Sequence, residues 1–160
     1  MIKDSQFFYL ILGSVLAFSG GLVAYFIQFY HSRFEQRKLV KQFIRELLKD
    51  FTRISPKVRE DYKRTGIIWN DVLQRINDSI IMLDRNKEHV FLIKENDLKE
   101  EILDFFSELR TTINFCYTLN NWIGSTIENI RQFASTEISK QPQIILSLEL
   151  KAKEILEKIK

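Results

Sequence analysis

Side chains able to do chemistry are few in this chain and poorly grouped. The two histidines, His31 and His89, are far apart, and the single cysteine, Cys116, has no second thiol for a disulfide or a CxxC site. Glu100, Glu101, Asp104 and Glu108 recur at helical spacing, which gathers carboxylates along one flank of a helix. Such a flank can attract a cation, but with no histidine or cysteine interleaved it reads as a solvated face. Cys116 falls in an apolar seam and reads as a small buried hydrophobe. Asn120 and Asn121 end that seam beside Trp122, which suits a structural hydrogen bond. His31 stands at the edge of an apolar block and reads as an interface residue. No HExxH, GxGxxG, P-loop or GxSxG pattern occurs. The sequence therefore predicts no catalytic, cofactor-binding or metal-ligating residue, no cofactor, and a protein that is not an enzyme.

What does stand out is an uncharged block, Phe7 to Tyr30, FFYLILGSVLAFSGGLVAYFIQFY. As a helix it extends roughly 36 Å, enough to cross a hydrocarbon core of about 30 Å with some tilt. Phe7, Phe8 and Tyr9 gather at one end, and Tyr25, Phe26, Phe29 and Tyr30 at the other, as aromatic belts do at headgroup level. A cleaved signal peptide is the competing reading, with Lys3 as its basic region and Ala17-Phe18-Ser19 as a cleavage site. The apolar run continues well past Ser19, where a mature chain would turn polar, and this favours a retained span.

Basic residues set the expected orientation. Lys3 and Asp4 precede the block, whereas Arg33, Arg37, Lys38, Lys41, Arg45 and Lys49 follow it. The positive-inside rule then places the amino terminus outside and the carboxyl-terminal part in the cytoplasm, at an inner (plasma) membrane. A lone thiol fits a reducing compartment. The sequon Asn77-Asp78-Ser79 lies inside an apolar-periodic segment and reads as chance. Formal charge is also uneven: residues 31–64 carry eleven bases against five acids, and residues 65–160 twelve bases against fifteen acids. Positive charge beside the block and a mildly acidic remainder suit an anionic leaflet better than a nucleic acid.

Helical periodicity runs through nearly all the rest. Val40, Ile44, Leu47, Phe51 and Ile54 recur at spacings of four and three, so one helix is expected from about Phe7 to Arg53. Ser55-Pro56 reads as the cap and first residue of a new element, and Gly66 as a break. Trp69, Val72, Leu73, Ile76, Ile80 and Leu83 form the next apolar face. Asp84-Arg85-Asn86-Lys87 reads as a loop, and Asn96 or Asp97 as a helix cap. Ile102, Phe106, Leu109, Ile113, Cys116 and Asn120 make the clearest seam. A break at Trp122-Ile123-Gly124 precedes a stripe of Ile127, Ile130, Phe133 and Ala134. After Gln141-Pro142, Ile145, Leu148, Ala152, Ile155 and Ile159 mark a terminal helix. Val90-Phe91-Leu92-Ile93 is too short and isolated to found a sheet.

The expected fold is all-α: one amino-terminal transmembrane helix continuing into a long basic helix, then a small antiparallel bundle with coiled-coil-like packing. Its parts are a short tail over residues 1–6, the span over 7–30, a basic juxtamembrane segment over 31–64 and the bundle over 65–160. Within the span, Gly13, Ala17 and Gly21 lie four apart, a spacing that lets membrane helices approach closely, so a homo-oligomer is one expected assembly. In the basic stripe Arg33, Arg37, Lys41, Arg45, Lys49 and Arg53, screening acts within about 8–10 Å. Only Arg33, Arg37 and Lys38 stand near enough to the block for headgroup contact.

The Phe7–Tyr30 block, the FEQRKLVKQFIRELLKDF segment, and the TGIIWNDVL and LRTTINFCYTLNN segments give a layout that resembles uncharacterised prokaryotic single-pass membrane proteins with a basic helix and a compact helical domain. The resemblance is one of architecture and transfers no functional residue. HEPN-type ribonucleases are also helical, but Arg85 and His89 have three residues between them, short of that family's R-x(4–6)-H spacing. Two function classes follow. One is a membrane-anchored interaction or scaffolding module, with the lipid bilayer and another protein, or a second copy, as partners. The alternative is a holin- or toxin-like effector that oligomerises through its membrane helix. The apolar stripes beyond Thr65, which must pack somewhere, favour the first.

Overall fold

The computed structural model describes the backbone of residues 2–159 and the side chains of residues 19–159. The protein is all-α, with six helices among the described residues: α1 (Ile2–Thr65), α2 (Asn70–Arg85), α3 (Lys87–Val90), α4 (Asn96–Ile123), α5 (Glu128–Ile138) and α6 (Gln141–Lys158). The chain divides into two compact units, Met1–Leu39 and Val40–Lys160.

In the first unit, Leu22, Val23, Tyr25, Phe26, Ile27, Phe29 and Tyr30 are all exposed. At 100° per residue they cover an arc of about 200°, and the remaining sector holds Gly20, Gly21, Ala24 and Gln28, so it lacks the charged face a surface helix carries. Among the described residues no helix is long and apolar enough to cross a membrane. Positions 19–30 of the apolar block fall short of the roughly 20 residues a crossing takes. The side chains of positions 7–18, including Gly13 and Ala17, lie outside the described residues.

The second unit is a bundle. Its core unites Ile44, Leu48, Phe51 and Val58 of α1 with Leu73, Ile76 and Ile80 of α2. Ile102, Phe105, Leu109 and Ile113 of α4 and Ile145, Leu148 and Ala152 of α6 complete it. Polar bridges report the directions. Asp84 meets Arg110, Gln74 meets Tyr117 and Asn70 meets Asn120, so α2 and α4 run antiparallel. Glu101 meets Lys158 and Glu108 meets Lys151, so α4 and α6 do too. Lys41 meets Glu95 and Phe51 meets Phe105, so this part of α1 runs parallel to α4. Short connections favour such antiparallel neighbours. At the α1–α2 turn, Gly66 has φ +72°, a left-handed conformation that closes the helix as its N–H donates to the Tyr62 carbonyl at 2.7 Å.

Four local expectations change. Pro56 does not begin an element: α1 continues through it to Thr65. The proline removes a helix hydrogen bond and carries a penalty of about 3 kcal/mol, which is offset because Ile54, Ser55 and Val58 are all buried there. Neither Asn96 nor Asp97 caps α4. Glu95 takes the cap position without a capping bond, and its carboxylate pairs with Lys41 at 2.9 Å instead. Of Asp84-Arg85-Asn86-Lys87, read as loop, Asp84 and Arg85 close α2 and Lys87 opens the short α3, which leaves Asn86 alone between helices. The α5 stripe also turns: Ala134 and Ile138 face inward, while Ile127 and Phe133 are about half exposed. Alanine at the contact lets α5 approach α4 closely, and Phe133, 100° around the helix, is left facing solvent.

Candidate functional site

The most densely bonded polar group inside the bundle is Glu149, 4% exposed, on the inward face of α6. Its Oε2 accepts from the Ser55 hydroxyl at 2.7 Å and from the Arg59 guanidinium, and its Oε1 accepts from Lys153 at 2.7 Å. Burial pushes its carboxyl upward, but the bonds from Lys153, Arg59 and Ser55 prevail and hold it down to about 2. The residue is therefore ionised at any ordinary pH and fully bonded. That describes a clamp between α1 and α6 better than an acid poised for proton transfer, which needs a pKa near the working pH. Ser55, expected at a cap, belongs to this clamp. One signal pointed there: Glu149 interrupts the Ile145, Leu148, Ala152 stripe, where an acid must find a partner.

Cys116 is fully buried with its thiol pushed up to about 12 by desolvation, and the buried Gln141 amide oxygen lies 3.8 Å from its sulfur. A thiol so placed is not a nucleophile, since the thiolate is the reactive form. The acidic flank of α4 borders an open groove of about 540 Å³ toward α6, where Glu101 and Glu108 pair with Lys158 and Lys151. Exposed pairs of this kind contribute little to stability.

The basic stripe separates into two groups. Within the bundle unit, Lys41 pairs with Glu95, Arg45 donates to the Ile159 carbonyl, Lys49 pairs with Glu46 and Arg53 with Asp50. In the first unit, Arg33 lies over the Phe29 ring, 4.6 Å from its centroid, and Lys38 is exposed. Gly21 is exposed too, and a Cβ added there meets nothing within 4 Å.

At the end of the bundle opposite Val40, the Asn120 amide donates to the Ile68 carbonyl at 2.6 Å and to Asn70 at 3.0 Å, fixing the α1–α2 connection against α4. Beside it Trp122 packs on Phe133 with centroids 6.1 Å apart, both about half exposed, as is Trp69 on the pinned connection. Periodicity had assigned Trp69 and Phe133 to apolar faces. Trp69 instead has extended backbone ahead of α2, so helical spacing does not govern where it points. Tryptophan is among the residues enriched at the energetic centres of protein interfaces. Compared with protein-family models, curated proteins and solved structures, the chain matches none.

Proposed function

We propose that this protein is a membrane-anchored helical docking module. In this reading Phe7–Tyr30 spans the bilayer with the amino terminus outside, and the bundle on the cytoplasmic side binds another protein or a second copy. The observation that carries it is the apolar block, free of charge over its whole length, whose described residues expose aliphatic and aromatic side chains over an arc of about 200° of the helix. Water would oppose that exposure by about 25 cal/mol per Å² of apolar surface, whereas lipid would not. The bundle has its own closed core, which a protein acting through its span alone would not need. Its exposed Trp122–Phe133 pair offers an anchor of the type found at interfaces.

Alkaline carbonate washing of membranes from expressing cells should leave the full chain in the pellet, and a reporter fused after Lys160 should behave as cytoplasmic. Release of a chain shortened near Ser19 would mean a cleaved leader, and an exported reporter would reverse the orientation. The effector alternative is tested by Gly21→Leu. A Cβ added at this position meets nothing within 4 Å among the described residues, so an effect of the substitution would report packing against a neighbouring helix. A docking module should keep its function with Gly21→Leu and with an unrelated span replacing Phe7–Tyr30. Dye-reported depolarisation by the parent chain, lost in both variants, would favour the effector.

A further inference from the structure

Resting on the membrane reading above, we infer that the turns just past the apolar block form a collar selective for anionic phospholipid headgroups, with Arg33 and Lys38 as its principal contacts. The argument begins with height. Arg33 and Lys38 stand about 4.5 and 12 Å along the helix beyond Tyr30. The headgroup layer is about 5–8 Å thick on each side, and unscreened attraction reaches a further 8–10 Å. Both bases therefore fall within range of lipid phosphates.

Pairing sharpens the choice. Lys41, Arg45, Lys49 and Arg53 are engaged by Glu95, the Ile159 carbonyl, Glu46 and Asp50 respectively. Between His31 and Lys38 the sequence has a single acid, Glu35, against Arg33, Arg37 and Lys38, so this stretch is net positive. Geometry adds a second element. The Arg33 guanidinium lies over the Phe29 ring, which itself stacks on Tyr25 with centroids 6.2 Å apart. An aromatic belt holds its rings at headgroup level. A guanidinium laid over such a ring stays at that level and keeps its edge N–H groups free for two-pronged donation to a phosphate diester. Lys38 lies about 140° around the helix from Arg33. The collar thus meets lipids on two sides rather than one.

The test places the only tryptophan of the chain at the collar, by Tyr30→Trp in a background of Trp69→Phe and Trp122→Phe. The full chain is reconstituted in vesicles containing either brominated phosphatidylglycerol or brominated phosphatidylcholine, and quenching is titrated. The collar predicts relative binding of the anionic lipid about fivefold tighter, the contribution expected of roughly one base at the surface. The preference should fall to near one in Arg33→Gln/Lys38→Gln and persist in part in Arg33→Lys/Lys38→Arg, which keeps both charges but loses the two-pronged donation at position 33. Added glycerol phosphate should not abolish it, since the lipid and not a free phosphate is the ligand. Equal quenching by both lipids in the parent chain, or a preference unchanged in the double Gln variant, would overturn the collar while leaving the anchor intact. No quenching by either lipid would remove the membrane reading and the collar together.

Discussion

Ile113→Asp will abolish the cooperative thermal transition of the bundle, and Leu109→Asp will do the same. Both side chains are completely buried on the central helix α4, which packs against α2, α5 and α6. A carboxylate introduced at either position is buried within the apolar core, where its desolvation is costly. An uncompensated buried charge destabilises by about 3–5 kcal/mol, and the lost packing adds about 2–5 kcal/mol. Together these approach the whole stability of a typical domain, about 5–15 kcal/mol. Far-ultraviolet circular dichroism of the full chain in detergent, followed against temperature, reads the outcome. A variant that melts at the parent temperature would mean that α4 is not the centre of the core. Asn114→Asp, at an exposed position of α4, is the control expected to change little.

The second large effect concerns Glu149, whose folded carboxyl is held at about 2 against an ordinary value of 4.5. A depressed carboxyl stabilises the fold fully above its unfolded pKa, and that contribution is lost as pH falls toward the folded pKa. The window is therefore pH 4.5 down to pH 2, and the stability at stake is about 3 kcal/mol. The melting temperature of the parent should decline through that window, and Glu149→Gln should flatten the decline while lowering stability at neutral pH. Truncation by Glu149→Leu should be more damaging, because it leaves the buried Ser55 hydroxyl and the largely buried Arg59 without their acceptor. Replacing all three, Glu149→Leu with Arg59→Met and Ser55→Ala, should recover most of the loss, since buried ion pairs are often neutral against well-packed apolar substitutes. Parallel pH profiles for parent and Glu149→Gln would show that the clamp is not ionic.

The helices themselves were legible in the residue pattern. Val40 to Ile54, Ile102 to Cys116 and Ile145 to Ile159 repeat at threes and fours, and every apolar position of those seams is buried. Gly66 marked a turn because its left-handed φ is one that other residues rarely adopt. These features depend on interactions within a few residues of chain, and such interactions are written locally. The uncharged block is equally local: its lack of charge is read from consecutive residues, whatever the rest of the chain does.

Other features required partners distant in sequence. Ser55-Pro56 has the local chemistry of a helix start, yet α1 runs through it because Glu149, ninety-four residues away, accepts the serine hydroxyl. In the basic stripe, spacing separated the bases by distance from the block, but it did not show that Glu95 and the Ile159 carbonyl, on other segments, engage Lys41 and Arg45. Phe133 and Trp69 fitted apolar periodicities and are exposed all the same, because periodicity identifies a face and not the partner that covers it. Sequence by itself determined the all-α class, the principal seams and the apolar block, all products of short-range spacing. Only the tertiary structure decided which charges are buried and which aromatics face solvent, since both depend on what another helix brings to the same point in space.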